Sequence, residues 1–174
     1  MSDVWIINGI PGAGKSTVAR ALARRFPRSA HVEGDQLQAC IVSGGVPPGG
    51  QPAEEETRQI HLCVRNQCLL ARSFAEAGFV PVLDYVVVNR ERVAEYRGHL
   101  EGLTVRLVTL APGVAAALER DRARPEKTVA ALWTHLDTVL RAELAGVGLW
   151  LDTADLTVDE TVEHVLARAG EAGL

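Results

Sequence analysis

Gly9-Ile10-Pro11-Gly12-Ala13-Gly14-Lys15-Ser16 spaces glycines, a lysine and a hydroxyl so that one short loop can hold a triphosphate. The glycines permit a tight turn whose backbone N–H groups point at phosphate oxygens, and the N-terminus of a following helix adds positive potential. In this chemistry Lys15 reaches the β- and γ-phosphates and Ser16 offers its hydroxyl to Mg²⁺, while Gly9, Pro11, Gly12, Ala13, Gly14 and Thr17 complete the cradle. Lys15 is one of only two lysines, the other being Lys127, so Gly-Lys-Ser at this spacing is not a product of composition. An ordinary glycine-rich strand-to-helix turn, the alternative, needs neither the lysine nor the serine.

A second stretch with chemical content is His31-Val32-Glu33-Gly34-Asp35-Gln36-Leu37. Two carboxylates placed near a triphosphate are electrostatically unfavourable unless they accept a proton, bind an acceptor hydroxyl or help hold Mg²⁺. Asp35 is the candidate for orienting and deprotonating an acceptor hydroxyl, and Glu33 for a contact to metal-bound water or substrate. Asp35 also suits the N-cap of a helix beginning near Gln36, and the two roles are compatible. Further on, Val82-Leu83-Asp84-Tyr85 is an apolar run ending in one acid, the form of a Walker B aspartate that holds a Mg²⁺ water beside the loop serine. A strand-ending turn would also use an Asp there. Tyr85 and Asn89 follow, open both to substrate contact and to exposure or helix capping.

The elements that must position these residues follow from hydrophobic patterning. Apolar strand candidates at 4–7, 30–32, 79–83, 104–110 and 147–151 alternate with helical patterns, which predicts an α/β fold with a parallel sheet and helices on both faces. In such a sheet the ligand crevice lies at the carboxyl ends of the strands, where the phosphate loop, Glu33, Asp35 and Asp84 all fall. A long helix is expected over 53–77, preceded by the irregular segment 43–52, either a flap beside substrate or a solvated connector. On that helix Arg58, Arg65 and Arg72 recur every seven residues and share a face. Facing the crevice, they would bind an anionic acceptor; facing water, they would form the polar stripe of an amphipathic helix, the reading for Arg72, with Arg58 and Arg65 open to either. Trp133 and the Leu-rich register over 129–144 read as a core-facing helix, and Thr157 with Glu160 as a capping box.

Length, charge and cysteines set limits. At 174 residues the chain suits one domain, 1–174. A net charge of −4 disfavours a polynucleotide partner. No apolar run approaches a membrane span and no signal peptide precedes the first strand, so a cytoplasmic protein is expected. Cys40, Cys63 and Cys68 form no metal-ligand pattern and read as buried thiols, and His61 and His135 as structural.

Gly-Ile-Pro-Gly-Ala-Gly-Lys-Ser-Thr together with Glu33-Gly34-Asp35 resembles the small AAA-type P-loop phosphotransferases of the gluconate kinase, shikimate kinase, adenylylsulfate kinase and chloramphenicol phosphotransferase type. Asp35 is followed by Gln36-Leu37-Gln38, where gluconate kinases carry Leu-His. The resemblance implies a three-layer P-loop NTPase fold, nucleoside-kinase-like, with a five-stranded parallel sheet. Substrate-binding helices and flap are implied at about 36–77 and an arginine-bearing lid at about 120–128. Arg120 and Arg124 in that lid are implied to stabilise charge on the transferring phosphoryl group, and the loop at Asp152, Thr153 and Ala154 to lie against adenine.

The expected activity is ATP- and Mg²⁺-dependent phosphorylation of a hydroxyl on a small molecule such as a sugar acid or antibiotic, by a monomer or homodimer. Lys15, Asp35, Arg120 and Arg124 are the catalytic candidates; Ser16 and Asp84 are the metal candidates. Glu33, Asp35, Arg58, Arg65 and Tyr85 are candidates for binding substrate. A nucleotide or polynucleotide kinase is the alternative within enzymes, and a non-catalytic nucleotide switch the alternative outside them; the guanine-reading Asn-Lys-x-Asp is absent.

Overall fold

The computed structural model describes residues 3–123 and 130–174. Five strands form one parallel sheet: β1 (Asp3–Asn8), β2 (Ser29–Glu33), β3 (Val80–Asp84), β4 (Thr104–Leu110) and β5 (Leu149–Leu151), in the order β2-β3-β1-β4-β5. The helices are α1 (Lys15–Ala23), α2 (Gly34–Ala39), α3 (Ala53–Glu76), α4 (Arg90–His99), α5 (Gly113–Arg122), α6 (His135–Glu143) and α7 (Val158–Ala167). Helices cover both faces, which is the P-loop kinase fold. Strands buried on both faces read as continuous apolar runs, and Val4, Trp5, Ile6 and Ile7 of β1 are all buried. Among the described residues, no helix is long and apolar enough to cross a membrane.

The chain leaves β1 toward β3 and β2 on one side and β4 and β5 on the other. The phosphate loop therefore emerges where strand order reverses, at the place open α/β sheets bind ligands. Glu33 and Asp84 lie opposite each other in the β2–β3 register, and His31 lies opposite Val82. Residues two apart on a strand share a face, so His31, Glu33 and Asp84 project to one side of the sheet, the side that carries α1.

The long helix spans the expected region, and its side chains Cys63, Val64, Gln67, Cys68, Ala71 and Ala75 are buried. Gln67 is a buried polar clamp: its Nε2 donates to the carbonyls of Val32 and Asp84, and Tyr96 Oη donates to its Oε1. The segment before α3 is irregular, as expected, but pinned. Val46 N–H donates to Gln59 Oε1 at 2.7 Å, Gln59 Nε2 donates to Gly44 O at 2.8 Å, and Gly49 N–H donates to Glu56 Oε1 at 2.6 Å.

Four expectations need correction. The region read as one helix over 129–144 is a 3-10 turn (Ala130–Trp133) followed by α6, with Leu140 and Leu144 buried and Leu132 exposed. Asp35 is not an N-cap: α2 starts at Gly34, so Asp35 sits inside its first turn. Cys63 and Cys68 are buried, but Cys40 is exposed because it ends the short α2 at the surface. Tyr85 is buried, since its ring lies over Gly34.

Candidate active site

Three glycines of the phosphate loop, Gly9, Gly12 and Gly14, have positive φ. At Gly12, with φ 85°, a Cβ would also stand 2.3 Å from the carbonyl oxygen of Ala117 on α5, so only glycine fits. The loop closes on itself through Ala13 N–H donating to Ile10 O at 3.0 Å, and α1 begins directly after Gly14. Lys15 Nζ folds over the loop to donate to Ile10 O at 3.3 Å. Ala13 is buried, Pro11, Gly14, Lys15 and Ser16 are half-buried and Thr17 is exposed, so the loop's ligand-facing edge is open.

Ser16 Oγ donates to Glu33 Oε1 at 3.3 Å. The other oxygen of Glu33 accepts from Gln36 Nε2 at 2.8 Å and lies 3.8 Å from Arg20 Nη2. Asp84, 3 % exposed, binds His31: Asp84 Oδ2 and His31 Nε2 are 3.0 Å apart. The acid in direct contact with the loop serine is thus Glu33, while Asp84 stands beside it with one oxygen engaged. Ser16, Glu33 and Asp84 are hard oxygen donors. Among the described residues no cluster of three or more His, Cys, Asp or Glu side chains is arranged to hold a metal by itself. That donor set fits Mg²⁺, which binds through one or two carboxylates plus substrate phosphates and water.

Asp35 is exposed at the start of α2, one helical turn from Gln38. Tyr85 Oη donates to Gln38 Oε1 at 3.1 Å, and a Cβ on Gly34 would stand 2.3 Å from the Tyr85 ring. The Glu33-Gly34-Asp35 spacing therefore lets Tyr85 pack beneath α2. Burial pushes the Tyr85 hydroxyl well above its ordinary value, and the charge of Asp35 acts in the same direction. Asn8 secures the loop that follows β3: its Oδ1 accepts from Val87 N–H at 2.8 Å and its Nδ2 donates to Val87 O at 3.2 Å. Asn89 caps α4, accepting from Arg92 N–H at 2.9 Å.

A cleft of about 300 Å³ lies beside the loop, lined by Gly12, Ala13, Gly14, Thr17, Arg120 and Thr153 among others. Arg120 spans it. Its guanidinium donates to the carbonyls of Ala13 at 3.4 Å and Ala154 at 3.1 Å, and also to the carbonyl of Thr153. Arg120 therefore braces the phosphate loop against the loop after β5, instead of hanging free over the phosphates. Thr153 is buried and Asp152 exposed, its Oδ1 accepting from Ala154 N–H at 3.0 Å. Arg124 lies outside the described residues. Asp121, buried at the end of α5, accepts from Ala130 N–H at 2.8 Å.

Arg58 and Arg65 sit on the side of α3 opposite Cys63, Val64 and Gln67, so they face away from the sheet. Both line an open groove of about 810 Å³ between α3, α4 and the segment at Ile41–Gly44. Arg58 pairs with Glu55 at 2.9 Å. Arg72 donates to the carbonyls of His99 and Glu101, and His61 Nδ1 lies 2.9 Å from Glu95 Oε1, both fixing α4 to α3. The sequence reading missed His31, Gln38 and the bracing role of Arg120. Strand alternation marks His31 as a face-mate of Glu33, and helical spacing marks Gln38 as a neighbour of Asp35.

The tunicamycin resistance protein of Deinococcus radiodurans is similar in structure, with a TM-score of 0.72 and 24 % identity over 99 % of this chain and 98 % of that one. APS kinase of Mycobacterium tuberculosis, in complex with AMPPNP and APS, aligns with a TM-score of 0.73 and 20 % identity over 97 % of each chain. A gluconokinase from Sinorhizobium meliloti 1021 aligns with a TM-score of 0.68 and 21 % identity over 98 % and 93 %. No curated protein matches by sequence. The family described as AAA domain matches residues 4–142, a span that carries the phosphate loop and all three acids beside it, and this chain belongs to that family.

Proposed function

We propose that this protein is an ATP- and Mg²⁺-dependent phosphotransferase acting on a hydroxyl group of a small molecule, such as a sugar acid or an antibiotic. The observation that carries this reading is the contact between Ser16 at the head of α1 and Glu33 at the end of β2, with exposed Asp35 two residues on. It combines a triphosphate cradle, oxygen donors for a metal and a proton acceptor within one crevice. The names of the gluconokinase and APS kinase that share the fold support it, and the net charge of −4 favours a small acceptor over a polynucleotide.

In this reading the loop amides and Lys15 bind the phosphates, and the cleft under Arg120 and Thr153 takes the base. Mg²⁺, when bound, neutralises charge on the β- and γ-phosphates. Ser16, Glu33 and Asp84 are the residues that would hold it and its water. Asp35 orients the acceptor hydroxyl and takes its proton as the acceptor oxygen bonds to the γ-phosphorus and the bond to the β-phosphate oxygen breaks. Substrate is bound over α2 and the flap, near Asp35 and Tyr85. A lid at about 120–128, Arg124 included, closes water out.

The test is ADP release from Mg-ATP across sugars, sugar acids, nucleosides, aminoglycosides, chloramphenicol-type antibiotics and short oligonucleotides, with product mass measured. Acceptor-stimulated turnover and a product heavier by one phosphoryl group are expected. Asp35→Asn is expected to keep ATP binding and lose about 10²–10⁴-fold in turnover. Undiminished turnover in that variant removes Asp35 from the base role, and stimulation by oligonucleotides alone overturns the small-molecule assignment.

A further inference from the structure

We propose that His31 is a positioning residue of the phosphoryl-transfer site, fixing the Asp84 carboxylate so that one of its oxygens is presented toward the metal beside Ser16 and Glu33. This inference rests on the phosphotransfer reading above. Asp84 is 3 % exposed, and an acid so buried is oriented by whatever it hydrogen-bonds. Its Oδ2 lies 3.0 Å from His31 Nε2, and the imidazole is itself only 13 % exposed. An ionised carboxylate only accepts, so Nε2 carries the proton.

The strands make this contact specific. Asp84, on β3, lies opposite Glu33 of β2 on one side and Ile7 of β1 on the other, and His31 is two residues before Glu33 on β2. All three polar side chains thus share the sheet face that carries α1, where Ser16 donates to Glu33. The two facing acids are held by different neighbours: Glu33 by Gln36 and Arg20, and Asp84 by His31. Outer partners of this kind set carboxylate orientation, and their loss typically costs about 10–100-fold in metal affinity or activity.

Mn²⁺ titration by electron paramagnetic resonance, on protein saturated with AMPPNP, tests the assignment in the wild type, His31→Leu, His31→Gln and Asp84→Asn. His31→Leu is expected to weaken Mn²⁺ binding about 10-fold while leaving metal-free AMPPNP binding unchanged. His31→Gln, which restores an N–H donor, is expected to recover most of the affinity. Unchanged Mn²⁺ affinity in a folded His31→Leu protein, with affinity lost in Asp84→Asn, overturns the role of His31 alone. Equal losses in His31→Leu and His31→Gln that track a lowered melting temperature also overturn it, showing a purely structural pair. If Asp84→Asn binds Mn²⁺ as the wild type does, the metal assignment itself fails and this inference falls with it.

Discussion

Ser16 Oγ donates to Glu33 Oε1 at 3.3 Å, joining the head of α1 to the last residue of β2. The contact places a carboxylate from one strand directly on the hydroxyl of the phosphate loop emerging from another. It also separates two acids of the crevice: Glu33 is half-buried and touches the serine, whereas Asp84 is buried and held by His31.

Replacing Ser16 with alanine removes a candidate metal donor and leaves Glu33 with Gln36 and Arg20. We expect the Mg²⁺ concentration for half-maximal turnover to rise about tenfold, with little change in melting temperature because Ser16 is only half-buried. Metal titration of initial rates checks this; an unaltered metal requirement removes Ser16 from the metal site.

Arg120→Ala cuts the brace between Ala13 and the 153–154 loop. Hydrogen bonds from a charged donor contribute about 1.5–3 kcal/mol when well formed, and partial exposure reduces that here. The expected result is a KM for ATP raised by about tenfold with kcat changed far less. A fall in kcat of about 10³-fold at constant KM would instead assign Arg120 to charge stabilisation at the γ-phosphate.

Gly12→Ala forces a Cβ to 2.3 Å from the Ala117 carbonyl at φ 85°. Backbone strain of this kind costs about 1–3 kcal/mol. For a chain of this size, about 2 kcal/mol lowers the melting temperature by about 4–8 °C. Calorimetry of the variant checks the value, and an unshifted melting temperature contradicts the close approach of the loop to α5.

Burial pushes the Cys63 thiol from 9.0 up to about 11 and the Cys68 thiol up to about 12. The unfolded chain ionises these thiols first, so their contribution to stability is full below pH 9.0 and is lost as pH rises toward 11. The melting temperature is expected to fall across that window. Iodoacetamide at about pH 8 should modify only Cys40 in the folded protein and all three cysteines in denaturant. Rapid modification of three thiols without denaturant contradicts the packing of α3 against the sheet.

The phosphate loop, the five strand positions, α3 and the Thr157–Glu160 capping box were legible in the sequence, because each is written in local spacing. Glycine conformational freedom, apolar runs and side chain to backbone caps act over a few residues and survive without tertiary context. Alternation on β2 even contained the shared face of His31 and Glu33. What sequence could not decide was partnership. Ser16 pairs with Glu33, Asp84 with His31, Arg120 with carbonyls at positions 13, 153 and 154, and Asp121 with Ala130. Helical spacing put Arg58 and Arg65 on one face, and only the packing of Cys63, Val64 and Gln67 against the sheet turned that face away from the sheet. Charged side chains can choose among many partners along a chain, and strand register and helix rotation, fixed by burial of the apolar core, select which of them come within hydrogen-bonding distance.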